Sequence, residues 1–270
     1  MNMNKFLYLV FIYCLSVDCL KAQRMADYNV FPVSQNVQQT EWQRLTWKRL
    51  KLDDPCNRGL YCTSVEGKGL FALILNLAVN GNVPLYKFVV DGNESLEDKD
   101  KISIEQVFDD FNISYTNDNG KIVAENIPAA DVKDFYICET TAYNAVNSSF
   151  STKVTAICPL LTQLDDYEDR KSLYPMFWVN YNDLLPFMDG WAVKEYRGNG
   201  VANIPLKDFF LLNLYHGDIY KSFSPQGETF IQQCEGNDDA ARKMSGKAVT
   251  DEMNMKAYTF DVFSNNGKDW

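Results

Sequence analysis

The sequence predicts an α+β protein: a mixed sheet with antiparallel hairpins and packed helices in irregular order, behind a cleaved signal peptide. Three observations lead there. In "GLFALILNLAVNG" (69–81), Leu70, Leu73, Ile74 and Leu77 recur with helical spacing on one face, and Gly81 ends the pattern. "DFYICETTAY" (134–143) and "SSFSTKVTAICPL" (148–160) are rich in β-branched and aromatic residues and read as two consecutive strands. Strands and helices also follow one another without the strict alternation of a doubly wound fold.

The chain opens with Lys5 and the apolar run "FLYLVFIYCLSV" (6–17), the length of a signal-peptide core and too short to span a bilayer. Ala22 is the expected cleavage point, so residues 1–22 are assigned to a signal peptide. Asp18 before Cys19 fits a lipoprotein signal badly. The mature chain of about 250 residues is long enough to bury roughly 70–75% of its unfolded surface without staples. Residues 23–40 are polar and read as a flexible arm, 41–234 as the folded α+β domain, and 235–270 as a weakly patterned tail.

Thirty-six acids against 26 bases give a net charge of −10. Such a field repels phosphate backbones, which argues against nucleic acid as a partner. One basic stretch runs against the trend: "WQRLTWKRLKL" (42–52) sets Arg44, Lys48, Arg49 and Lys51 between and after Trp42 and Trp47. It reads either as an amphipathic element with its cations in water, or as a dock for an acidic protein or lipid headgroups.

Further along, "VPLYKFVV" (83–90) is strand-like. Ser103 with Gln106 forms a capping box for a short helix through Phe108 and Phe111. "NISYTNDNGKIVAE" (112–125) reads as a hairpin turning at Asn119-Gly120. It is no calcium loop, because Tyr115 and Asn126 stand where the first and last ligands belong. "PMFWV" (175–179) has the composition of a strand buried on both faces, followed by a short helix (183–188) capped by Asn182. A last helix is expected over 205–215, with Pro205 in its first turn.

Seven cysteines fall to five, still an odd number, once Cys14 and Cys19 leave with the signal. Cys56 and Cys62 flank a loop short enough to close. A hairpin centred near residue 148 sets Cys138 opposite Cys158, either as a disulfide or as neighbouring buried thiols. Cys234 is left alone.

Concentrated chemistry is missing from the sequence. His216 is the only histidine, which removes His-rich zinc sites and two-histidine mechanisms. No Walker loop, dinucleotide-binding glycine pattern or nucleophile elbow occurs. The acids Asp165, Asp166 and Glu168 offer a carboxylate pair for hydrolysis, although clustered acids on a polar loop usually face solvent. Aromatic residues make up 14% of the chain, which favours contact surfaces over turnover. A glycan- or peptidoglycan-binding module is the alternative, if Trp178 and its neighbours stand exposed.

Several long motifs, in order, resemble the PorN/GldN family. They are "NRGLYC" (57–62), "LFALILNLAVNGNVPLYKFVVDGNE" (70–94), "IPAADVKDFYICET" (127–140), "VTAICPLL" (154–161), "YPMFWVNYNDLLPFM" (174–188), "DFFLLNLYHGDIYK" (208–221) and "QGETFIQQC" (226–234). "LYCT" (60–63) departs from the family's usual aromatic-proline pair, and the tail after Cys234 lacks its charged helix. The resemblance implies a non-enzymatic periplasmic subunit of the type IX secretion and gliding-motility machinery of Bacteroidetes. It implies a ring at the inner face of the outer membrane, built with a PorK/GldK-like lipoprotein and touching a PorM/GldM-like motor protein. No catalytic residue, cofactor or metal is carried over. A ring subunit needs two unlike surfaces that meet head to tail. The candidate contacts are Trp42, Arg44, Trp47, Lys48 and Arg49, with Tyr215 and Tyr220 as exposed aromatics.

Overall fold

A computed structural model of the chain describes residues 40–61, 69–89, 96–118, 121–125, 128–144, 149–164, 171–197 and 200–222, with Lys247 besides. The expected signal peptide, nearly all of the expected arm and nearly all of the tail lie outside these residues, as do Cys62, Asp165, Asp166, Glu168 and Cys234.

The basic stretch forms β1 (Thr40–Lys51). After a 3-10 turn at Arg58–Leu60 comes α1 (Leu70–Val79), which stops where Gly81 takes a left-handed φ of 67°. The expected strand at 83–90 shrinks to β2 (Leu85–Tyr86), paired with β3 (Lys101–Ile102). α2 (Ile104–Asp110) carries the anticipated capping box: Gln106 N–H donates to Ser103 Oγ at 3.2 Å, and Ser103 N–H donates to Gln106 Oε1 at 3.0 Å. β4 (Tyr115–Asp118) and β5 (Lys121–Ala124) make the anticipated hairpin, with Asp118 opposite Lys121.

Two long strands, β6 (Val132–Asn144) and β7 (Ser149–Leu164), form the spine of the main sheet. β8 (Lys171–Pro175) and β9 (Val179–Asn180) share the outer edge of β7. Pro159 lies where the partner of β7 changes from one to the other, so its missing N–H breaks no continuous ladder. α3 (Tyr181–Leu184) follows, then a hairpin of β10 (Ala192–Arg197) and β11 (Gly200–Pro205), α4 (Leu206–Leu211) and β12 (Asp218–Ser222). The main sheet runs β12-β1-β6-β7-β8 with β9 also on β7, and every described pairing is antiparallel rather than mixed.

Successive side chains of a strand point to opposite faces. On one face Leu50, Phe135, Ile137, Val154, Ile157 and Leu161 meet the helices, joining Ile74, Phe108, Phe209 and Phe210 in the larger core. On the other, Leu45, Trp47, Cys138, Ala156 and Cys158 are covered by Tyr86 and Trp178. The backbones of Tyr86 and Trp178 exchange two hydrogen bonds, Tyr86 N–H to Trp178 O at 2.9 Å and the return at 2.8 Å. Met176 through Val179 are all buried, as expected, but the run is not the single strand expected there. β8 ends at Pro175, β9 starts at Val179, and between them Trp178 makes only a bridge to Tyr86.

Three expectations need correction. The cap of α3 is Asn180, whose Oδ1 accepts from Asn182 N–H at 2.9 Å; Asn182 itself is exposed. The helix expected over 205–215 ends at Leu211, because Asn213 turns left-handed (φ 52°) and frees Tyr215 to reach the sheet. Cys138 faces Ala156, and Cys158 faces Tyr136. The strands part at Asn144 and Ser149, earlier than a turn centred on residue 148, and a bulge at Thr155 shifts the register again. Thr155 Oγ1 donates to Cys138 O at 3.0 Å across that bulge. Cys138 and Cys158 are therefore diagonal neighbours, present as buried thiols rather than a disulfide. Cys56 is an exposed thiol; its proposed partner Cys62 lies outside the described residues.

Candidate interaction surface

The basic stretch was the first candidate for a contact surface, and its side chains are mostly spent inside the molecule. Trp42 pairs through its backbone with Tyr143, and its side chain lies outside the described residues. Arg44 is 7% exposed and Trp47 2%. The ring of Trp47 sits in the aromatic face, with Lys221 Nζ 4.7 Å from its centroid.

Lys48 and Arg49 point to opposite faces, and each finds a carboxylate of β6. Lys48 Nζ lies 2.8 Å from Glu139 Oε2, and Arg49 reaches Asp134 Oδ2 at 2.7 Å. Glu139 is 1% exposed. A carboxylate in that position is tolerated only with a counter-charge and hydrogen-bond donors. Thr46 Oγ1 supplies a long donation at 3.5 Å. Lys51 completes the strand's pairing with Asp218 at 3.2 Å. The alternation that placed cations between tryptophans is thus the alternation of a strand in the middle of a sheet, not a face left to water.

Tyr215 and Tyr220 were expected to be exposed. Tyr215 is buried over the same ionic row, its hydroxyl donating to Asn213 Oδ1 at 2.8 Å and its ring 5.9 Å from Lys48 Nζ. Burial, then the Glu139 carboxylate beside it, raises its phenol well above the ordinary range. Tyr181, packed edge-on against Phe210, is pushed up to about 12 by burial and then by Asp208. Tyr220 is half-buried on the aromatic face, its ring 4.1 Å from that of Tyr136.

The residues that sequence reasoning passed over lie in and around "NRGLYC". Asn57 is fully buried and satisfied. Its Nδ2 donates to Lys51 O at 2.9 Å and to His216 O at 2.6 Å, and its Oδ1 accepts from His216 N–H at 3.0 Å. A Cβ on Gly59 would lie 2.1 Å from Val193 Cγ1, so only glycine lets this turn press against β10. The motif is a joint that seats β10 and the start of β12 against the sheet. Glu139 had left one hint: it is the lone acid between "FYIC" and "TTAY", and an acid inside an apolar strand demands a partner.

The rings of 174–188 do not form a sugar platform around Trp178, which is 1% exposed; Tyr174 and Phe187 alone of its large rings reach the surface. Other exposed apolar side chains are Tyr61, Val123 and, most of all, Leu211 and Leu212, each 62% exposed. Among the described residues no group of three His, Cys, Asp or Glu is placed to hold a metal, and no helix is long and apolar enough to cross a membrane.

Comparison with known proteins agrees with the ordered motifs. No curated protein matches the chain. The family model described as gliding motility associated protein GldN matches residues 36–261, extending past Cys234 into the tail. Matched over that length, the chain belongs to the GldN family of gliding motility associated proteins.

Proposed function

We propose that this protein is a non-enzymatic structural subunit of the periplasmic ring of the type IX secretion system. In this reading it is exported, its signal peptide removed, and it assembles at the inner face of the outer membrane. It does so with copies of itself and a PorK/GldK-like lipoprotein, and contacts a PorM/GldM-like motor protein. The observation that carries the reading is the family match over residues 36–261. The surface is consistent with it: the exposed leucines at 211 and 212 are available for subunit contacts, whereas the basic stretch is committed internally.

Gentle extraction of native envelopes, followed by capture through an epitope tag on this chain, tests the proposal. The expected result is a very large complex containing this chain and an outer-membrane lipoprotein. Recovery of a free monomer alone, with no lipoprotein at any detergent strength, overturns it.

A further inference from the structure

The main sheet ends in two unlike edges. At one, residues 213–222 wrap around the sheet. Tyr215 is buried on the helix-bearing face, and Gly217 crosses the edge so tightly that a Cβ would lie 2.8 Å from Leu50 Cδ1. β12 then pairs with residues 46–49 of β1, and no described strand lies on its outer side. At the other edge β7 is only partly covered. β8 takes residues 160–164 and β9 takes Ala156 and Ile157, which leaves 149–155 with no described strand on the outer side. Asn213 Nδ2 donates to Thr152 O at 3.4 Å, so the exposed Leu211 and Leu212 stand beside this open stretch.

We propose that the open stretch of β7 seats β12 of a second copy, so that the antiparallel sheet continues from one chain into the next. This pairing rests on the ring of like copies proposed above and gives it a surface. An uncovered strand edge is a row of backbone donors and acceptors ready for another chain. Because the two edges differ, the contact is head to tail, and it closes into a ring when the rotation between copies divides a full turn.

Direction, length and charge select this occupant. β12 is antiparallel to β1, β1 to β6 and β6 to β7, so β12 runs antiparallel to β7. A copy repeated in the same orientation therefore presents β12 antiparallel to the open stretch, with the same face of the sheet up. β12 has five residues. Setting Asp218 opposite Lys153 puts Ser222 opposite Ser149, and Val154 and Thr155 keep the incoming strand clear of β9. Both charged side chains then share the aromatic face, since Asp218 is level with Arg49 and Lys153, through Thr140, with Leu45. Lys153 is exposed, with no ion-pair partner among the described residues. Asp218 touches Lys51 at 3.2 Å yet keeps 67% of its side chain exposed, which leaves room for a second cation. Ile219, level with Lys48, falls on the helix-bearing face opposite Thr152, where Leu211 and Leu212 gain an apolar cover.

Carbodiimide treatment of native envelopes, followed by capture of this chain and peptide mass spectrometry, tests the pairing on the unaltered protein. The reagent joins a carboxylate to an amine only where the two touch. Within one chain β12 and β7 stand three strand spacings apart, about 14 Å, and Asp218 and Lys153 are offset further along the strands. An Asp218–Lys153 amide therefore reports contact between copies, while an Asp218–Lys51 amide within one chain checks the reaction. The Asp218–Lys153 link should appear in the large complex and be lost from chain dissociated to monomers before treatment. Lys153→Cys with Asp218→Cys, in a Cys56→Ser background, should give a ladder of covalent multiples under mild oxidation that collapses on reduction. Either substitution alone should give no more than the background. A large complex that lacks the amide, and whose cysteine variant forms no ladder, overturns the edge pairing and leaves the ring standing. An Asp218–Lys153 link that persists in monomers overturns it as well. Absence of any large complex removes the ring and this pairing with it.

Discussion

The two faces of β1 bury the same kind of sequence by different means. On the helix-bearing face, Arg44, Thr46 and Lys48 alternate down to Leu50, and Lys48 meets Glu139 beneath Tyr215. On the aromatic face, Leu45 and Trp47 pack with Cys138, Tyr136 and Tyr220, Lys221 lies over the Trp47 ring, and Arg49 is paired with Asp134. One face pairs its buried charges, the other is filled mainly by stacked rings: Phe88 lies over both Tyr136 and Trp178, at centroid distances of 6.2 and 6.1 Å. A cation flanked by tryptophans is thus no sign of an exposed patch when the flanking residues fall on alternate faces of a central strand.

The comparison can be broken at several strengths. Trp47→Ala should cost the most, about 3–5 kcal/mol by urea denaturation, because it opens a cavity in a stacked cluster that cannot collapse. Glu139→Ala strands the Lys48 ammonium and should cost about 2–4 kcal/mol, somewhat less than a fully buried pair because Lys48 keeps part of its surface in water. Lys48→Met combined with Glu139→Leu should bring stability back to within about 1 kcal/mol of the parent, as apolar replacements of buried ion pairs do. A double variant as unstable as Glu139→Ala alone would mean the ionic face depends on charge and not merely on its satisfaction. Leu211→Asp with Leu212→Asp touches neither face and should alter stability by no more than about 0.5 kcal/mol. In native envelopes the same pair should shrink the complex carrying this chain, as judged by sedimentation.

Much of the fold was legible because its signals are local. The helix at 70–79 shows its apolar stripe, Ser103 and Gln106 cap each other within one turn, and the Asp118–Lys121 hairpin closes over two residues. The family resemblance was legible too, because long motifs keep their order. The contact residues were not. Whether Trp47 or Tyr215 is exposed depends on what lies across the sheet, and those neighbours, Lys221 and Glu139, stand far away in the chain. The Cys138 register failed for a related reason: the strands part at Asn144 and Ser149, earlier than expected, which moves the partner of Cys138 away from Cys158. The bulge at Thr155, which no periodicity announces, returns it only as far as Ala156.

The sequence by itself determined the α+β class, the main hairpins, the principal helix and the family, since each follows from periodicity, turn chemistry or ordered motifs within short windows. Only the tertiary structure decided that Lys48 and Arg49 are matched to Glu139 and Asp134. It alone showed that Asn57 clamps His216, and that the segment holding both tyrosines wraps the sheet edge. Those contacts join residues some 85 to 160 positions apart, and no local pattern encodes which charge will find which across that separation.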